Sequence, residues 1–127
     1  MPYLHPVTRE LLPDGLYLVT QFQKEKGVLH SAIADVSNVT GLSTNPLGEP
    51  TIFHLPATGY AVEPLSAAGG TWNIVRRLKN QGDAIKRIRR VDAKPENYSL
   101  IGNNCEHYTE FVENGIPKSP QVMKTVL

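Results

Sequence analysis

The sequence predicts an α+β domain in which a small antiparallel sheet packs against a helix near the C-terminus. Three observations carry this: two β-patterned stretches separated by a short polar turn, a third short β stretch closed by proline, and a striped, capped helical segment late in the chain. At 127 residues the chain can bury one core without metal or disulfide staples, so one domain over 1–127 is expected.

The first stretch, GLYLVTQFQ (15–23), is rich in β-formers and is followed by the polar turn KEKG (24–27). In VLHSAIADV (28–36) the period is strictly two, with Val28, His30, Ala32, Ala34 and Val36 on one face and Leu29, Ser31, Ile33 and Asp35 on the other. The pair reads as an antiparallel hairpin. Residues 37–50, SNVTGLSTNPLGEP, are dense in turn formers and read as a long irregular loop, a length common in lids and binding loops. TIFHL (51–55) is a third strand, with Ile52 and His54 on one face and Pro56 ending it. ATGYAVEPLSAAGG reads as loop around short extended pieces, and TWNIVRRL (71–78) as a strand or a short helix, with the strand preferred. In DAIKRIRRV (83–91), Asp83 is the expected N-cap and Ala84, Ile88 and Val91 form one helical stripe.

NNCEHYTEFVENG (103–115) gives the clearest helix signal. Asn103 and Glu106 have capping-box spacing, Tyr108, Phe111 and Val112 form an apolar stripe, Gly115 suits the left-handed C′ position, and Pro117 blocks continuation. The helix is expected over about 104–114. Cys105 then falls in its first turn, where unpaired N–H groups and the positive dipole end favour a thiolate and can hold an oxyanion. A buried cysteine acting as a small hydrophobe is the bland alternative.

Cys105 is the only cysteine, so no internal disulfide can form, which fits a reducing compartment. The start lacks the pattern of a secretory signal, and no apolar run approaches the roughly 20 residues a bilayer span needs. A soluble cytoplasmic protein is expected, with any membrane contact peripheral. His30 and His54 each sit mid-strand among apolar neighbours, and with one helix-capped cysteine they suggest a nucleophile, a base and an orienting group. No second cysteine and no metal-ligand spacing supports zinc, so neither metal nor cofactor is expected.

These segments resemble a known family. NNCEHYTEFVENG resembles the NCEHF cysteine motif of the lecithin:retinol acyltransferase-like family, with Tyr108 in place of phenylalanine; HSAIADV resembles its histidine strand and TIFHL the strand that follows. The likeness touches three segments in family order across about residues 15–122. It implies a permuted papain-like fold related to the NlpC-type peptidases, its small antiparallel sheet packed against a nucleophile-bearing helix. It also implies Cys105 as nucleophile, His30 as base and His54 as the group orienting His30. The implied activity is a thiol acyltransferase or lipase-type acyl hydrolase forming a thioester acyl-enzyme from a phospholipid or other acyl ester.

The sequence departs from the family pattern at Ser31, where tryptophan is usual, at Asp35, and in the 24-residue step from His30 to His54, about twice the common spacing because of the 37–50 loop. That loop could cover the site. A thiol peptidase or amidase on the related fold, or a catalytically silent binding module, remain the alternatives. His107 is read as structural because two residues from Cys105 it cannot share its helix face, and His5 as solvated. Eight of the 13 basic residues lie between Arg76 and Lys94, against Asp83 and Asp92. Arg76, Arg77, Lys86, Arg87, Arg89 and Arg90 make either a solvated face or a contact for an anionic membrane surface. Without aromatic interleaving, nucleic acid is not expected.

Overall fold

The computed structural model describes residues 3–4, 11–25, 27–56, 59–98 and 105–115. Strands β1 (Tyr3–Leu4) and β2 (Leu11–Leu12) pair with each other. The main sheet contains β3 (Gly15–Gln23), β4 (Val28–Val36), β5 (Thr51–His54), β6 (Ala61–Pro64) and β7 (Asn73–Arg77) in the order β6-β5-β4-β3-β7, every neighbouring pair antiparallel. Helix α1 (Leu65–Ala68) is one turn, α2 (Gln81–Ala93) follows β7, and after a 3₁₀ turn at Pro95–Tyr98 comes α3 (Cys105–Asn114). The α+β class and the antiparallel sheet are as the sequence predicts.

The β3–β4 hairpin pairs Gln23 with Val28 at its tip and Gly15 with Val36 at its base. Because side chains alternate across a strand, this register divides the sheet into two apolar faces. On one, Leu16, Ile33 and Phe53 pack against Ala84, Ile88 and Val91 of α2 and Tyr108, Phe111 and Val112 of α3. Both helical stripes read from the sequence are therefore buried. On the other face Tyr17, Val19, Ala32, Ala34, Val36, Ile52 and Trp72 form a second cluster, flanked by Leu12, Leu65 and Ala68. With both faces covered, all four residues of β5 are buried, as a central strand in a sandwiched sheet requires.

Two sequence readings change. Asp83 is not the N-cap of α2: the helix begins after Asn80, and Asp83 lies in its first turn, where a carboxylate suits the dipole. Gln81 occupies the start instead because its amide ties the helix to the sheet. Its Oε1 accepts from Leu16 N at 2.7 Å, and its Nε2 donates to Leu16 O at 3.1 Å and Leu78 O at 2.7 Å. In the stretch read as loop around short extended pieces, β6 is such a piece, whereas the one-turn helix α1 is not expected there. The strand expected over 71–78 is found as β7. Asn103, Asn104, Pro117 and His5 lie outside the described residues.

The 37–50 loop leaves β4 through Ser37 and Asn38, both at positive φ, 72° and 56°. Buried Asp35 holds this turn, accepting from Val39 N at 2.8 Å, Thr40 N at 3.1 Å and Thr40 Oγ1 at 2.6 Å. The loop joins the end of β4 to the start of β5, whereas His30 is near the start of β4 and His54 ends β5. It is thus at the opposite end of the sheet from the histidines and does not cover them.

Candidate active site

The β4–β5 register brings the two histidines together. Ile33 pairs with Phe53 and Ala34 with Ile52, so His54 falls beside Ala32, diagonal to His30 on the same face. The length of the intervening loop does not enter this geometry; only the pairing does. His30 Nε2 and His54 Nδ1 stand 2.8 Å apart, and both residues are buried, 6% and 5% exposed.

Cys105 opens α3 and is half-buried. Its Sγ accepts a hydrogen bond from Ser31 N at 3.4 Å, which sets the sulfur against the backbone next to His30. His30 and His54 are therefore in direct contact on one face of the sheet, and Cys105, at the start of α3, lies against the Ser31 backbone one residue along the chain from His30. The pairing of β4 with β5 ends at Ile33–Phe53, so the Ser31 N–H beyond it is taken by the thiol instead of a β5 carbonyl.

Two further residues belong here that sequence reasoning missed. Glu63 on β6 reaches His54, with Oε2 2.6 Å from His54 Nε2. The register pairs Glu63 with Ile52, so it is the diagonal neighbour of His54, within reach of a long side chain. Trp72 packs against both histidines, its ring centroid 5.8 Å from that of His30 and 6.0 Å from that of His54. The only signals for them were a lone carboxylate in the apolar AVEP stretch and the lone tryptophan after two glycines.

Trp72 also lines an apolar cavity of about 230 Å³ on the same sheet face, with Tyr17, Val19, Ala34, Ile52 and Leu65 among its walls. Its indole Nε1 is buried with no hydrogen-bond partner. At the hairpin tip the cross-strand pair Phe22 and Leu29 is exposed, as is Val28, one and two residues from His30 on β4.

The basic residues divide. Arg76 forms a bidentate pair with Glu113, Nε to Oε2 at 2.9 Å and Nη2 to Oε1 at 2.6 Å, which raises the Arg76 guanidinium further above its ordinary value. Arg87 Nη1 donates to Val112 O and Glu113 O at the end of α3, at 3.1 and 3.2 Å, and Arg77 Nη2 donates to Asp14 O at 2.9 Å. Lys86, Arg89 and Arg90 are exposed on α2. His107 is half-buried on α3. Among the described residues no His, Cys, Asp and Glu cluster is arranged to hold a metal, and no helix is long and apolar enough to cross a membrane.

Compared with known proteins, the chain matches no family model, no curated protein and no solved structure.

Proposed function

We propose that the protein is a cysteine-dependent acyltransferase or acyl hydrolase of the lecithin:retinol acyltransferase-like type, built on a permuted papain-like arrangement and acting through a thioester on Cys105. The observations that carry this reading are the 2.8 Å contact between His30 and His54 and the 3.4 Å hydrogen bond from Ser31 N to the Cys105 sulfur, which sets the thiol beside the backbone of the residue after His30. In this reading His30 uses Nε2 toward His54 and takes the thiol proton at Nδ1. The Cys105 sulfur attacks the ester carbonyl, with the N–H groups at the start of α3 as oxyanion donors. The carbon–oxygen bond breaks, His30 protonates the departing alkoxide, and the acyl group remains as a thioester. Water, an alcohol or an amine, deprotonated by His30, then attacks that thioester and releases the thiol.

Two features favour an acyl ester over a peptide. The apolar cavity behind Trp72 suits a hydrocarbon chain, whereas a peptidase calls for an open polar groove. The exposed Phe22–Leu29 pair and Val28, beside Lys24, suit contact with a lipid surface next to the site. Exposed Lys86, Arg89 and Arg90 can add attraction to acidic headgroups.

Incubation with mixed phospholipids followed by intact-mass analysis tests the proposal. An acyl-sized mass increase is expected on the wild type and its loss in Cys105→Ser. Absence of any adduct with every lipid, together with hydrolysis of peptide substrates, would move the assignment to a thiol peptidase. Neither adduct nor hydrolysis would leave a silent binding module.

A further inference from the structure

We infer that Glu63 is a positioning residue for the Cys105–His30 pair, a carboxylate that acts on His30 through His54. The inference rests on the thiol chemistry proposed above and adds a fourth member to it.

The argument is one of donors and acceptors. His54 lies between two partners, with Nδ1 2.8 Å from His30 Nε2 and Nε2 2.6 Å from Glu63 Oε2. An ionised carboxylate can only accept, so the proton of neutral His54 belongs on Nε2. Its Nδ1 then carries a lone pair and accepts. The nitrogen facing it, His30 Nε2, must donate, and this leaves the lone pair of neutral His30 on Nδ1. One carboxylate on an edge strand thereby fixes the tautomers of two imidazoles in series. The lone pair is thereby assigned to His30 Nδ1, the nitrogen that the proposed mechanism uses as the base.

The same chain bears on charge. When His30 takes the thiol proton it becomes a cation in a buried site, where an unpaired charge is costly. Passing the Nε2 proton's hydrogen bond through His54 toward Glu63 lets the carboxylate offset that charge. A structural role, in which Glu63 only fastens β6 to the sheet, would need neither the in-line order nor a carboxylate. The Glu63 side chain is 33% exposed while that of His54 is 6% exposed, so the carboxylate keeps water on one side and turns the other to the imidazole. Among the described residues of the elements next to β6, β5 offers His54 as its one titratable side chain, and α1 is Leu-Ser-Ala-Ala.

Cys105 is the only thiol, so its alkylation by iodoacetamide, followed by intact mass across pH, reads the pair directly in the full chain. Glu63→Gln keeps an acceptor oxygen and removes the charge. The expected result is a rate at neutral pH about tenfold lower and a reactivity profile displaced to higher pH by about one unit. In a His54→Gln background, Glu63→Gln should add nothing, because the effect travels through His54. A Glu63→Gln profile superimposed on the wild type, or a full Glu63→Gln effect persisting without His54, would overturn the inference. If Glu63→Gln does not fold by far-ultraviolet circular dichroism, Glu63→Ala is read by the same two criteria. Intact-mass acylation separates this from the broader proposal. A displaced alkylation profile in a protein that no lipid acylates keeps the positioning role and refutes the acyl-transfer reading. Acylation that proceeds with an unchanged Glu63→Gln profile does the reverse.

Discussion

At the scale of single residues, buried polar groups mark where the chain departs from a plain core. Asp35, 1% exposed, spends its carboxylate on three donors at the loop entrance. Asp35→Ala would strand those donors and should lower stability by about 3 kcal/mol, measured as a fall in the urea midpoint with an unchanged slope. Tyr108 and Tyr60 pack edge-on with centroids 5.7 Å apart, and Tyr60 donates to Asp92 at 3.1 Å. Burial pushes both phenols well above their ordinary value of 10.0, and the Asp92 carboxylate nearby raises both further. An acid whose folded value lies above its unfolded one contributes stability that is complete below about pH 10 and is lost as pH rises toward the folded value. Urea midpoints should therefore fall between about pH 9.5 and pH 11, and Tyr108→Phe should fall less steeply. The residues legible in the sequence were those whose local period made them conspicuous: an imidazole on the apolar faces of β4 and β5, and a thiol in a capped first turn. Glu63 and Trp72 were not legible, because each acquires its role only when strands distant in sequence are laid side by side.

At the scale of elements, register did what spacing along the chain could not reveal. The 24-residue step from His30 to His54 departs from the family pattern, yet the Ile33–Phe53 pairing sets the two rings in contact whatever lies between. The loop's turn at Asn45–Gly48, capped by the Gly48 N to Asn45 O bond at 3.4 Å and with Leu47 exposed, is at the far end of the sheet. Replacing Pro46–Leu47 by Asp-Gly should leave the rate of Cys105 alkylation within twofold of the wild type, since nothing at the histidine end is touched; a larger change would mean the loop reaches the site after all. Helix ends were read with mixed success for a physical reason. Gly115 takes the C′ place of α3 as expected, at φ 77° with its N–H on Phe111 O at 2.7 Å. A Cβ there would also meet the Arg87 guanidinium at 2.8 Å, so Gly115→Ala should cost about 1–2 kcal/mol in thermal or urea unfolding. The start of α2 was misread because Asp83 has the cap chemistry, while Gln81 is used for a contact with β3 that is 65 residues away.

At the scale of the whole molecule, the sheet separates two environments. One face is covered by α2 and by α3, which opens with Cys105; the other keeps the apolar cavity and carries the histidines, with Trp72 packed against both rings. That division makes a direct prediction about the proposed substrate. A cavity of about 230 Å³ has room for roughly eight groups the size of a water molecule or methylene, enough for one medium-length aliphatic chain. Trp72 is the only tryptophan, so its fluorescence reports on that wall without competing signals. Titration with an octanoyl amphiphile below its micelle concentration should shift the Trp72 emission saturably. Ala34, buried in the cavity wall, offers the control: Ala34→Met fills the space a chain would take. The variant should keep the β-sheet signature in circular dichroism and lose the titration. An emission shift that survives Ala34→Met would locate the ligand elsewhere on the surface, at the Phe22–Leu29 tip in the first instance. A wild type whose emission does not move would remove the cavity as a reason to prefer an acyl chain over a peptide, leaving that preference to the mass of the Cys105 adduct alone.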